Sequence, residues 1–266
     1  MNWGMENRLK RIISPKSGRS VMLAVDHGYF QGPTTGLANL GKTVRPLLPH
    51  ADALMITRGA LRNWISPETN IPIVLRVSGG QSILKELSNE IITTSIHEAI
   101  RINASAITCS VYIGGEYEKE SISNLSRIVN EGEEYGIPVL AVTAVGKAMV
   151  RDARYLGMAS RICVEIGAHM VKTYFCEQDF GKVIEACGNV PVIIAGGKKI
   201  EEKLALFMAK KAVESGARGV DMGRNIFQSD NPVGMIRAVR AIVHEGLSID
   251  EAFKIYKKRD EASCLL

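Results

Sequence analysis

Short apolar runs recur along the chain, each followed by polar, glycine-bearing punctuation. They are Val21–Val25, Ala53–Thr57, Pro72–Val77, Ala106–Val111, Pro138–Thr143, His169–Thr173, Pro191–Ala195 and Gly219–Gly223. Their hydrophobicity is nearly continuous rather than alternating, as in strands of a parallel sheet covered on both faces. Pro72, Pro138 and Pro191 open three of them, a place where a strand tolerates the missing N–H.

The intervening segments change period. Apolar positions spaced for a helix predict Ser121–Tyr135, Arg151–Ile166, Glu201–Ser215 and Pro232–Glu245, with Gly136, Gly167, Gly216 and Gly246 where a left-handed cap belongs. The stretches around the second and third strands are less regular. Leu9–Ile13 belongs to an N-terminal helix that covers the barrel floor or a neighbouring subunit. A last helix carries Asp250 and Glu251 early and Lys257 and Lys258 late, as the helix dipole favours. Strand–helix alternation repeated eight times, with right-handed crossovers, closes into a (β/α)₈ TIM barrel. An open doubly wound sheet is the alternative; no G-x-G-x-x-G follows the first strand to support it. Residues 1–266 then form one barrel domain, with a helical extension over 1–18 and a C-terminal helix over 248–262.

Composition narrows the class. No apolar run approaches the roughly 18 residues of a membrane span, and the N-terminus lacks a signal-peptide core, so a cytoplasmic protein off the membrane is expected. The five cysteines (Cys109, Cys163, Cys176, Cys187, Cys264) are odd in number and form no C-x-x-C, which fits reduced thiols rather than disulfides or zinc. The formal charge is +5, but 33 basic residues are interleaved with 28 acidic ones, and the densest run, Lys257–Arg259, reads as a solvated helix face. No nucleic-acid partner is expected.

In a barrel the chemistry sits at the C-terminal strand ends. The seventh strand ends in Ala195-Gly196-Gly197-Lys198 and the eighth in Met222-Gly223-Arg224-Asn225. Glycine turns on these two strands form the usual phosphate cradle of the fold, with Arg224 adding a charge-assisted contact. The sixth strand places Lys172 in an apolar run. Burial favours a neutral amine, which attacks carbonyls to form a Schiff base; a rim lysine that contacts phosphate or pairs with Glu177 is the alternative. Asp26 ends the first strand as a general base, a partner to Lys172, or a turn residue. His27 reads as a hydrogen-bonded structural histidine. Arg58 and Lys147, after the second and fifth strands, are placed to bind a charged substrate or to lie solvated. His50, His97, His169 and His244 lie away from the rim, so no metal site is expected.

Asp26-His27-Gly28, Val171-Lys172-Thr173, Ala195-Gly196-Gly197 and Gly223-Arg224-Asn225-Ile226-Phe227-Gln228 together resemble the archaeal-type class I aldolases, over nearly the whole chain. The resemblance implies that Lys172 is the Schiff-base lysine, that Asp26 is the strand-one aspartate, and that the glycine turns bind phosphate. It also implies a homo-oligomer built on rings, up to a decamer. Two longer strings, Asp26–Leu37 and Gly219–Asp230, resemble a branch of that family that passes an acetyl group from a small phosphorylated carbonyl substrate to coenzyme A. Aldolases of the family carry a tyrosine after the fifth strand; here Ala141–Lys147 has none. A retro-aldol needs a base for the β-hydroxyl proton, whereas a retro-Claisen does not, because an external nucleophile attacks the departing acyl carbonyl instead. The rival expectations are a Schiff-base aldolase on a sugar phosphate and a non-catalytic phosphosugar-binding barrel.

Overall fold

A computed structural model of the protein describes residues 1–145 and 151–258. Eight parallel strands close into a barrel: β1 (Ser20–Ala24), β2 (Ala53–Thr57), β3 (Ile73–Arg76), β4 (Ala106–Ile113), β5 (Val139–Val145), β6 (Met170–Thr173), β7 (Val192–Ala195) and β8 (Gly219–Met222). Each pairs with its neighbours in sequence, and β1 pairs with β8 to close the ring. The expected runs therefore map onto the barrel one for one. The three prolines stand just before their strands, and each carbonyl accepts the N–H of a residue on the preceding barrel strand: Leu54, Ile107 and Val171. Proline serves there because only its acceptor is required.

Period two sorts the strand residues. Val21, Leu23, Leu54, Ile56, Val171 and Ile194 face outward into the layer of helices. Met22, Ala53, Val74, Ala106, Leu140, Met170 and Ile193 face inward and fill the barrel floor. The N-terminal helix Trp3–Ile12 inserts Ile12 into that cluster, so it plugs this barrel's own floor. One step higher, the same inward face turns polar with Arg76, Ser110, Lys172 and Asp221. The apolar floor excludes water below these groups, and the open rim lies above them.

The helices Glu118–Tyr135, Ala153–Ile166 and Glu202–Glu214 occupy the expected segments. Gly136, Gly167 and Gly246 cap in the left-handed region. Two segments differ from expectation. The helix from Pro232 stays α-helical to Arg240 and then widens into a π turn over Ala241–Glu245. Between β3 and β4, Ser78–Gly79 pairs antiparallel with Ile91–Ile92, a two-residue ladder too short to leave a periodic trace. Gly146, Lys147 and Cys264 lie outside the described residues.

The π turn presents His244 to Asp52 at the foot of β2. Asp52 accepts from Val21 N–H, from Arg240 and from His244 Nε2, each at 2.7 Å, and His244 Nδ1 accepts from Ser17 at 2.7 Å. Burial raises the Asp52 pKa, but the bonds from His244, Arg240 and Val21 outweigh it and hold it below the usual carboxylate value. The stabilisation is therefore present above the unfolded-state pKa and is lost as pH falls through the folded one. Asp52→Asn is expected to cost about 1–3 kcal/mol at neutral pH, because an amide cannot accept from all three donors. Urea unfolding of the variant at neutral and acidic pH checks both the size and the sign.

Candidate active site

The inward face of the barrel opens at the C-terminal strand ends into a cavity of about 410 Å³. Asp26, His27, Lys172, Gly196, Gly197, Gly223 and Arg224, all singled out in the sequence, line it together. Arg58 does not. It lines a separate cavity of about 260 Å³ behind Tyr29 and the Ser78–Gly79 strand.

Lys172 stands two residues above Met170 on the inward face of β6 and is only 8% exposed. Its Nζ donates to Asp221 Oδ2 at 2.7 Å and approaches Met55 Sδ at 3.5 Å. The amine is thus accompanied by a carboxylate from β8, and neither Asp26 nor Glu177 is that partner. Asp26 bonds instead to Arg76, which donates from Nε to Asp26 Oδ2 at 2.9 Å and from its η nitrogen to Ser110 at 3.0 Å. These corrections have one cause. β1, β3, β6 and β8 are brought around a ring, and partners are set by height in the barrel rather than by spacing in the chain.

The two aspartates titrate in opposite directions. Burial raises the Asp26 pKa, but the nearby Arg76, Lys172 and His27 charges outweigh it and hold the group below the usual carboxylate value. For Asp221 burial wins over the Lys172 interaction, and its pKa is raised. Asp221 Oδ1 is buried with no hydrogen-bond partner among the described residues. Paired groups pushed apart in this way suit a base and an acid on either side of one reaction centre. His27 is not the hydrogen-bonded structural histidine expected. Its ring packs edge-on against Phe227 at 5.8 Å, and its buried Nδ1 has no partner among the described residues. Burial, reinforced by Lys172, Arg224 and Arg76, pushes its pKa down to about 4 despite Asp26, so the imidazole is neutral at physiological pH.

The glycine turns meet at the far side of the cavity. Asn225 ties them together, donating to the Gly196 carbonyl at 2.6 Å and accepting from Ile200 N–H at 2.9 Å. Gly223 is required by close approach: an added Cβ would lie 2.3 Å from the Ala24 carbonyl oxygen. Gly197 has φ +70°, the left-handed region. Arg224 lines the cavity beside them. Its Nε is buried without a partner among the described residues, and burial pulls its pKa below the usual guanidinium value. A bound anion would offset that cost.

Arg76, Asp221, Tyr29, Glu90 and Tyr112 were not singled out in the sequence. The first two carried the signal that marked Lys172, a charged side chain inside an apolar strand. Glu90 carried none; it reaches the site from the short ladder above β3.

A lysine amine held inside a parallel barrel, with carboxylates of opposed titration beside it and paired glycine turns with a half-buried arginine across the cavity, suits an enzyme that binds a carbonyl substrate covalently. The chain belongs to the DeoC/LacD family of aldolases, whose family model matches residues 20–229. It is 54% identical over 261 residues to the 3-hydroxy-5-phosphonooxypentane-2,4-dione thiolase of Enterobacter sp. (strain 638), covering 98% of this chain and 88% of that one. It is 53% identical to the protein of that name from Escherichia coli (strain K12), covering 96% and 88%. Among solved structures, an archaeal fructose-1,6-bisphosphate aldolase with its catalytic lysine bound to the carbinolamine intermediate superposes with a TM-score of 0.82 at 25% identity. It covers 90% of this chain and 99% of that one.

Proposed function

We propose that the protein is a Schiff-base thiolase that cleaves 3-hydroxy-5-phosphonooxypentane-2,4-dione with coenzyme A to acetyl-CoA and dihydroxyacetone phosphate, a step in degrading phosphorylated autoinducer-2. The observation that carries this reading is the Lys172 amine, buried at the floor of a cavity whose far wall is the Gly196–Gly197 and Gly223–Arg224 cradle. The near full-length likeness to thiolases of that name supports the choice of substrate.

Lys172 attacks the ketone next to the phosphorylated carbon, and loss of water gives an iminium. Asp221, whose pKa is raised and whose Oδ1 is unengaged, supplies and takes back the proton of that dehydration. Asp26 stays ionised and stabilises the cationic nitrogen. The thiol sulfur bonds to the acetyl carbonyl carbon, and the carbon–carbon bond breaks toward the iminium, which becomes an enamine. Protonation of the enamine carbon and hydrolysis release dihydroxyacetone phosphate. The cradle anchors the phosphate, so binding energy remote from the reaction positions the reacting carbons. A cytoplasmic homo-oligomer built on rings, up to a decamer, goes with this reading, and sedimentation measures the assembly. No helix among the described residues is long and apolar enough to cross a membrane.

The test is borohydride trapping with dihydroxyacetone phosphate, followed by a coenzyme A dependence assay on the phosphorylated dione. An adduct on Lys172 with coenzyme A-dependent turnover supports the thiolase. An adduct with cleavage of a sugar phosphate and no need for a thiol identifies an aldolase. Phosphate binding without any adduct leaves a binding protein. Arg224→Met is expected to raise KM for the phosphorylated substrate by roughly 10–100-fold, the size of a lost charged hydrogen bond, and to leave the trapped adduct at Lys172 intact. Steady-state kinetics of the variant separate KM from kcat.

A further inference from the structure

Thiol attack needs a base that takes the sulfur-bound proton, and the groups around Lys172 are engaged elsewhere. Asp221 accepts from Lys172 through Oδ2 and serves the dehydration proton through Oδ1, and Asp26 accepts from Arg76 and stays ionised beside the cationic nitrogen. His27 is buried among the Lys172, Arg224 and Arg76 charges, which oppose a positive charge on its ring. From Leu140 to Ala144, β5 offers no titratable side chain.

Two carboxylates stand on the opposite side: Glu86 lines the cavity, half-buried and accepting from the Ser88 N–H at 3.0 Å, and Glu90 is buried. Glu90 is 1% exposed, and four side-chain donors converge on it. Tyr29 and Tyr112 donate to Oε1 at 2.8 and 2.9 Å, Gln81 donates to Oε1 at 2.5 Å, and Ser78 donates to Oε2 at 2.5 Å. Both tyrosines line the main cavity, whereas Glu90 does not. Tyr112 lies at the rim end of β4, in register with Ala144 of β5. Its single proton is committed to Glu90, so toward other partners its oxygen accepts; Gln81 Nε2 approaches it at 3.5 Å, a long contact that a donor from the cavity can share. Burial pushes both phenols well above their usual pKa, which keeps them protonated between turnovers. A phenol that accepts on one side and donates to a carboxylate on the other is a proton relay.

We propose that Glu90, acting through Tyr112, receives the thiol proton of the acyl acceptor; the inference rests on the thiolase reading. The sulfur gives its proton to Tyr112 Oη as Tyr112 passes its own to Glu90 Oε1. The carbon–sulfur bond forms, the carbon–carbon bond breaks, and its electron pair moves into the iminium to give the enamine. The proton then returns from Glu90 through Tyr112 to the enamine carbon, and water hydrolyses the resulting iminium. No proton is gained or lost overall, so the relay needs no further reactant. Tyr112 touches the reacting thiol; Glu90 is a positioning residue that holds the relayed proton.

The experiment uses the full chain as wild type, Glu90→Gln and Tyr112→Phe. Acetyl transfer from the phosphorylated dione is measured to coenzyme A, to N-acetylcysteamine and to thiophenols already ionised at the assay pH. Both variants are expected to lose about 10²–10³-fold in kcat with coenzyme A, the usual size of a general-base contribution. With ionised thiophenols the first acetyl transfer should recover to within about tenfold of wild type, because that step precedes protonation of the enamine and then needs no base. Borohydride trapping at Lys172 should match wild type in both. Phenylalanine keeps the ring packing of Tyr112, so that variant carries the test if Glu90→Gln fails to fold. Equal loss with every thiol, or no loss with coenzyme A, overturns the relay and leaves the thiolase reading standing. If wild type transfers acetyl to no thiol, both readings fall together.

Discussion

Lys172→Met is expected to abolish the borohydride-trapped adduct and to lower turnover by roughly 10⁴-fold or more, as removal of a covalent nucleophile does. Methionine approximates the length of the lysine stem, so the change chiefly removes the amine, with its bond to Asp221 and its approach to Met55 Sδ. The stability cost is smaller than for most broken buried ion pairs. Asp221 is left without its partner, but burial has already raised its pKa, so it takes a proton and becomes neutral. A carboxyl with a raised folded-state pKa contributes stability below its unfolded pKa, and that contribution is lost as pH rises through the folded one. The variant is therefore expected to be close to wild type in urea at mildly acidic pH and increasingly weaker toward alkaline pH. Turnover within tenfold of wild type, or an adduct on another residue, would remove the Schiff-base mechanism.

Arg76→Met is expected to be the most destabilising single change in the site. The guanidinium is 4% exposed and bonds to Asp26 and Ser110 while lying 5.2 Å over the Tyr29 ring. Its removal strands a buried carboxylate, at a cost of about 3–5 kcal/mol. A chain of this size loses about 2–4 °C of Tm per kcal/mol, so thermal unfolding reads the change directly. The pH dependence follows from Asp26. Its folded-state pKa is lowered in wild type, so its contribution is present above the unfolded pKa and fades as pH falls through the folded one. Without Arg76 the burial effect is opposed chiefly by Lys172, and the Asp26 pKa rises. The acid limb of the rate profile should move to higher pH. An unchanged Tm and an unchanged acid limb would show that Arg76 does not hold Asp26.

The eight strands were legible because a parallel barrel buries both faces of every strand, and that burial writes a continuous apolar run into the chain. The glycine turns of the proposed phosphate cradle were legible for a related reason. Only glycine permits backbone to approach as closely as Gly223 approaches the Ala24 carbonyl, and the barrel places such turns after its last two strands. Lys172 stood out as a cation in an apolar strand. Asp221 in Gly219–Met222 and Arg76 in Ile73–Arg76 carry the same mark, but their roles depend on partners from other strands.

By itself, then, the sequence determined the barrel, the glycine turns and the identity of the buried amine, since each follows from local period or local steric need. The tertiary structure decided the pairings: Lys172 with Asp221, Asp26 with Arg76, and Tyr112 with Glu90. Closing the ring joins Lys172 to Asp221 across 49 positions and Asp26 to Arg76 across 50, above an apolar floor, and the short ladder above β3 brings Glu90 to Tyr112 across 22. Which carboxylate a cation meets depends on strand order and register, and neither leaves a trace in the spacing of residues along the chain.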